Sequence, residues 1–313
     1  MKRLICVTVG SAVVVLAGCA APAQLDMPVA LERSSWMTTD AKTSDLLYVT
    51  DIGTNDVYVY SYPQGSLVGT LRNFNSPLRD CSDSHGNVYI TNTYSYELLK
   101  YAHGAAKPEA ALHDSNYLPW DCSVDPTTGN LAVTNYGPYS NSNTGDVVIY
   151  TDGKGSPKAY RDPSVQAYLY CSYDDSGNLF VDGLDFSYNF VLLKLPKGKS
   201  TFEQIALNQK FTSWGGVKWD GKDVAISDGT ALYQYSVSGT KAKKIRVVSL
   251  KRSVNVLQFW IAGSTVIAPD GPNGAKHDAG FWKYPQGGPP AKTIGTGLFQ
   301  NPSGATISVA NGT

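Results

Sequence analysis

The chain has 313 residues, enough for one large domain or two small ones, and its 26 Lys and Arg are balanced by 26 Asp and Glu. With no basic surplus to release counterions from a phosphate backbone, nucleic acid is excluded as the expected partner. Of the acids, 22 are Asp and four are Glu, and there are 30 Gly, 17 Pro and 20 Tyr, a balance that favours turns and strands over helices.

In chain order, the first element is an address label over residues 1–19. Lys2 and Arg3 precede an apolar run from Leu4 to Gly18, shorter than the roughly 20 residues a membrane-spanning helix needs and suited to an export signal. The run ends in Leu16-Ala17-Gly18-Cys19, which resembles the lipobox of bacterial lipoproteins. That resemblance implies cleavage before Cys19, lipidation of its thiol and a membrane anchor through the acyl chains. Ala20 follows, not the Asp that retains many such proteins at an inner membrane. Residues 20–44, with Pro22 and Pro28 and no steady periodicity, read as a flexible tether. No later apolar run reaches membrane length.

From residue 45 the chain repeats itself. RDCSDSHGNVYITN (79–92), WDCSVDPTTGNLAVTN (120–135) and YCSYDDSGNLFVDG (170–183) are one sentence: a short strand, a polar turn and an apolar strand. Looser copies follow at 216–228 and 259–270. A recurring unit of this length points to a repeat architecture. Each unit continues with a Val- and Tyr-rich strand closing on a Gly-bearing turn, then an outer strand. Both occur six times. The strand that opens each unit is missing ahead of Leu46 and turns up instead at the end of the chain as GATISVA (304–310). A six-bladed β-propeller over 45–313, closed by its C-terminal strand, accounts for both ends and leaves no long sheet edge unpaired. A solenoid would not need such an exchange of termini.

The Asp-turn-Gly-Asn before an apolar strand, followed by a Val-Tyr strand, resembles the NHL-repeat propellers and the wider six-bladed group of senescence-marker and gluconolactonase-like proteins. The resemblance implies the architecture, on which binding modules and enzymes are both found. The gluconolactonase-like members hold a divalent cation over the channel, using a Glu of an inner strand with Asn and Asp of others. Here Glu97, Glu109 and Glu203 all fall on later strands, so that activity is not carried over. A metal-dependent lactonase-type hydrolase, with Asp80 or Asp121 substituting, is the alternative to a binding or scaffold module.

Three features compete as sites. Cys81, Cys122 and Cys171 recur in Cys-Ser pairs in consecutive blades. Equivalent positions are expected to lie too far apart for easy bridging, so buried packing is favoured over a three-thiolate metal site. Asp51, Asn92, Asn135, Asp228 and Asp270 end the post-turn strands, and read as turn stabilisers before they read as a cation collar. Aromatic residues interleaved with acids, Asp80, Trp120, Asp121, Tyr136, Tyr170 and Trp214, fall in loops of one face. They form the candidate platform for a protein or glycan. No catalytic constellation stands out. The four His share neither metal-ligand spacing nor repeat phase.

Overall fold

The computed structural model describes residues 34–113, 117–138, 144–211, 215–271 and 277–310. It is a six-bladed β-propeller. Blade 1 contains β1 (Trp36–Met37), β2 (Leu46–Asp51), β3 (Asp56–Ser61) and β4 (Leu67–Leu71). Blade 2 is β5 (Pro77–Ser82), β6 (Val88–Asn92), β7 (Glu97–Tyr101) and β8 (Ala110–His113). Blade 3 is β9 (Tyr117–Val124), β10 (Leu131–Pro138), β11 (Asp146–Tyr150) and β12 (Lys158–Tyr160). Blade 4 is β13 (Val165–Tyr173), β14 (Leu179–Asp185), β15 (Phe190–Leu195) and β16 (Glu203–Ile205). Blade 5 is β17 (Val217–Trp219), β18 (Val224–Ser227), β19 (Ala231–Ser238) and β20 (Lys241–Ser249). Blade 6 is β21 (Trp260–Ala262), β22 (Thr265–Asp270), β23 (Asp278–Lys283) and β24 (Lys292–Ile294), and β25 (Pro302–Ser308) ends the chain.

Each blade is an antiparallel meander with its inner strand at one end of the sheet order, the blade's first strand in blades 2 to 6 and β25 in blade 1. The second and third strands are sandwiched between neighbouring blades, which is why they read as nearly continuous Val, Ile, Leu and Tyr instead of alternating. All six residues of β2 are buried, as are all five of β6. Each large side chain so buried contributes about 1.5–3 kcal/mol of transfer free energy.

The ring closes as the displaced strand requires. β25 pairs antiparallel with β2, Leu47 opposite Ile307 and Val49 opposite Ala305, and supplies the inner strand that blade 1 lacks. His103 of blade 2 reinforces the seam, its Nδ1 lying 2.6 Å from Ser308 Oγ and its Nε2 3.1 Å from the Ser44 carbonyl.

Among the described residues, strand pairing is already present before residue 45. β1 pairs with β4 and gives blade 1 a fifth, outermost strand, and Ala41 in the following 3-10 turn is buried. The sequence signal is weak here because only two residues pair. The address label, Cys19 and most of the tether lie outside the described residues.

The polar turns are as the repeat suggests. Asp174 Oδ1 accepts the N–H groups of Ser176 and Asn178, and Oδ2 accepts the Asn178 side-chain amide. Asp83 does the same for His85 and Asn87. Gly177 and Gly86 complete these turns at φ of +80° and +81°, a region that favours a residue without Cβ.

Candidate binding face and axial polar cluster

The inner strands begin on the face where each second strand ends, so the predicted site residues do converge there, but at different depths. Asp80, Asp121 and Tyr170 are buried, which corrects the expectation that they line an exposed platform. The inner strands pack against one another at the axis, β25 on β5, β5 on β9, β9 on β13 and β13 on β17. Trp120 is half-buried, and Tyr136 is exposed. Their rings stack with centroids 5.1 Å apart and planes inclined by 28°. Trp214 lies outside the described residues.

Beneath that stack, Arg79 acts as a tie. Its Nη2 donates to Tyr170 Oη at 3.0 Å and its Nη1 to the Leu78 carbonyl at 2.7 Å. Its guanidinium carbon is 5.4 Å from the Tyr170 ring centroid and 5.9 Å from that of Trp120, within cation–π range.

Deeper still is a cluster that the repeat pattern did not reveal. Gln258 Nε2 donates to Asp121 Oδ1 at 2.7 Å and to the Asp80 carbonyl at 2.9 Å, while its Oε1 accepts the Ala305 N–H at 2.8 Å. One amide thus joins blade 2, blade 3, the segment entering blade 6 and the closing strand. Asp121 Oδ2 accepts the Cys171 N–H and Asp182 Oδ1 accepts the Tyr170 N–H. Both carboxylate oxygens of Asp80 and Oδ2 of Asp182 have no partner among the described residues. Lys218 is half-buried, its ammonium 4.2 Å from the Trp260 ring centroid. Lys218 and Gln258 were legible only as polar residues interrupting otherwise apolar strand entries.

Burial sets the protonation of this cluster. Desolvation pushes the Asp80 carboxyl well above the usual range, and the Asp121 charge adds to it. Asp121 rises to about 6, with burial opposed first by Lys218. Asp182 is raised by burial, and Lys218 is lowered by it. Such a cluster holds protons and fixes inner-strand register. It does not suit a divalent cation. Arg79 and Lys218 oppose the charge of Asp80 and Asp121, and no three His, Cys, Asp or Glu among the described residues converge as ligands.

The cysteines require a second correction. Cys81 and Cys122 form a disulfide, with Cα atoms 5.6 Å apart, and Cys171 is a buried free thiol. The two positions are not equivalent in register. Cys81 faces Tyr89, three residues before Asn92, whereas Cys122 faces Val133, two before Asn135. Both hairpins carry a register irregularity on the loop side of the cysteine, between Pro77 and Asp80 in β5 and between Thr134 and Asn135 in the β9–β10 pair. Burial raises the Cys171 thiol pKa well above its ordinary value.

The Asp and Asn ring is structural. Asp51 accepts the N–H groups of Gly53, Gln300 and Asn301, and Asp270 those of Val254 and Asn255. Asn92 accepts the Asn75 N–H and donates to Glu97. Asn135 donates to Asp146, and Asp228 accepts the N–H groups of Thr230 and Ala231. Asp51, Asn92 and Asp270 thus tie the end of a second strand to the loop that enters the inner strand of the same blade, whereas Asn135 and Asp228 hold the connection to their own third strand.

What the loop face leaves exposed is an arc of aromatic rings. The loops between second and third strands present Tyr94 from blade 2 (53% exposed) and Phe186 and Tyr188 from blade 4 (57% and 70%), and the end of β10 presents Tyr136 from blade 3 (37%). The opposite, turn-side face carries a cleft of about 580 Å³ with a mixed polar and apolar lining, bounded by Ser82, Asp83, Tyr89, Val124, Trp260 and Ile307.

No family model matches the chain, and no curated protein matches it. Solved structures do. A chain of a nidogen/laminin complex superposes with a TM-score of 0.69 at 10% identity, covering 86% of this chain and all of that one. A protein of unknown function from Bacteroides caccae gives 0.62 at 12% identity, covering 85% and 99%. At these identities the likeness establishes the fold alone.

Proposed function

We propose that this chain is an exported, lipid-anchored propeller that serves as a binding or scaffold module at a bacterial cell envelope, taking a protein or glycan on its loop face. The observation that carries the reading is the aromatic arc of Tyr94, Tyr136, Phe186 and Tyr188, exposed on one face of three consecutive blades beside the Trp120 stack. Exposed rings with polar edges give stacking area at low entropic cost, the chemistry shared by sugar and peptide recognition. The leader ending in Leu16-Ala17-Gly18-Cys19 supports the anchor. The Cys81–Cys122 bridge supports an oxidising compartment. The lactonase-type alternative gains nothing, because Asp80 and Asp121 are buried among cations.

The test is a triple variant, Tyr94→Ala, Tyr136→Ala and Tyr188→Ala, in cells and on oligosaccharide arrays. The native chain is expected to cross-link to an envelope protein or retain a glycan, and the variant to lose that signal with unchanged melting temperature. Unchanged binding by the variant would refute the loop face. Mass analysis of the N-terminal peptide tests the anchor separately. Acyl chains on Cys19, and release of Cys19→Ala into the soluble fraction, are the expected results.

A further inference from the structure

We propose that the rim of blade 5 is a second, electrostatic contact surface that docks on an anionic lipid leaflet, using residues separate from the loop face. The neutral total charge conceals a division. Residues 34–189 hold eight Lys and Arg against 18 Asp and Glu, whereas 190–313 hold 15 against six. Because blades follow one another round a ring, this division in sequence is a division in space. It is steepest between Asp228 and Asp270, where no acidic residue occurs and Lys241, Lys243, Lys244, Arg246, Lys251 and Arg252 crowd one strand and its exit.

That strand is itself unusual. β20 runs nine residues, whereas the outer strands β8, β12, β16 and β24 run three or four and β4 is covered by β1. Seven of its nine residues are exposed, among them Ile245 at 49% and Val247 at 48%. Lys244 donates to Gln209 and lies over the Tyr233 ring. Lys241, Lys243, Arg246 and Lys251 form no ion pair among the described residues.

The geometry selects among anionic partners. An acidic peptide adding as a further strand would need a free, regular edge. Here both ends of β20 are already bridged, Lys241 to Ala206 and Leu250 to Gly288. Between them a bulge leaves Ile245 with no residue opposite on β19. The surface is therefore read through side chains. Lysines and a bulge also protect an edge from aggregation, but protection alone would not place two exposed apolar residues between the cations. Cations interleaved with apolar side chains match a headgroup layer over acyl chains, where each Lys or Arg near an anionic surface strengthens partition about fivefold.

The experiment uses the unlipidated chain from residue 20 onward, which keeps every strand described above, including the closing one. It is sedimented with phosphatidylcholine vesicles with and without phosphatidylglycerol. Partition is expected only with phosphatidylglycerol, weakening as salt rises. Lys243→Glu/Lys244→Glu/Arg246→Glu should lose at least tenfold. Lys107→Glu/Lys154→Glu/Lys158→Glu, an equal charge change on exposed sites of blades 2 and 3, should lose less than twofold. Ile245→Ser/Val247→Ser should weaken partition without altering its salt dependence. Absence of phosphatidylglycerol-dependent partition at low salt, or equal losses in both charge variants, overturns the proposal. So does binding of soluble polyphosphate as tight as to vesicles with no effect of Ile245→Ser/Val247→Ser. Melting temperatures separate misfolded variants from non-binders, and none of these outcomes bears on acylation of Cys19.

Discussion

Blades 3 and 5 are the same four-strand unit carried in opposite directions. Blade 3 invests in its axial end: β9 is eight residues long and carries Asp121, one half of the disulfide and Trp120 of the Trp120–Tyr136 stack, while its outer strand is three residues. Blade 5 has a three-residue inner strand bearing Lys218 and a nine-residue outer strand bearing the cations. Their second strands, β10 and β18, hardly differ where they are sandwiched: Leu131–Asn135 and Val224–Ser227 are wholly buried. The comparison teaches where a propeller can vary. A strand covered on both faces must stay apolar, whereas the axis and the rim each meet polar surroundings on one side and are free to specialise.

The largest effect should come from breaking what both blades depend on. Truncation after Asn301 removes β25, exposes β2 as an edge and deletes Ala305, whose N–H donates to Gln258 Oε1. Loss of the cooperative urea transition and rapid proteolysis are expected, and a retained transition would mean the ring does not need its closing strand.

Next in size is the bridge that distinguishes blade 3. Cys81→Ser/Cys122→Ser opens a loop with a sequence separation of 41, and a chain-entropy estimate puts the loss at about 4 kcal/mol. Equilibrium unfolding under non-reducing conditions measures it. The native chain with dithiothreitol should approach the variant.

The two axial ends should also differ in pH response. Asp80, Asp121 and Asp182 bind protons more tightly in the folded state than a free Asp carboxylate, which titrates at 3.8. Their stabilising contribution is complete below that value and declines as pH rises, for Asp121 until about pH 6. Each such group contributes a slope of about 1.4 kcal/mol per pH unit while it titrates. Asp80→Asn removes a buried carboxylate whose oxygens have no described partner, so it should be neutral at pH 4 and stabilising at pH 8. Urea midpoints that shift equally at both pH values would show that Asp80 does not carry its proton into the fold.

The smallest effects belong to the stack. Trp120→Ala should cost about 2 kcal/mol, since it removes a half-buried ring that packs on Tyr136 and Arg79. Tyr136→Ala should change stability by about 0.5 kcal/mol or less. A stability loss at Tyr136 matching that at Trp120 would mark the pair as core instead of recognition surface.

The unit length, six copies of each strand and the displaced opening strand determined the propeller and its closure, because burial on both faces forces the same apolar strand to recur wherever a blade is sandwiched. Asx turns at Asp83 and Asp174 were legible for a similar reason: their hydrogen bonds are local, within four residues. Only the tertiary structure decided the rest. Whether Cys81 meets Cys122 hangs on how closely β5 and β9, strands of different blades, approach one another. Whether Asp80, Asp121 and Tyr170 are surface or interior hangs on how closely six inner strands crowd one axis. That Gln258 reaches Asp121 across 137 positions of chain is set by ring geometry, and no local pattern encodes a distance round a ring.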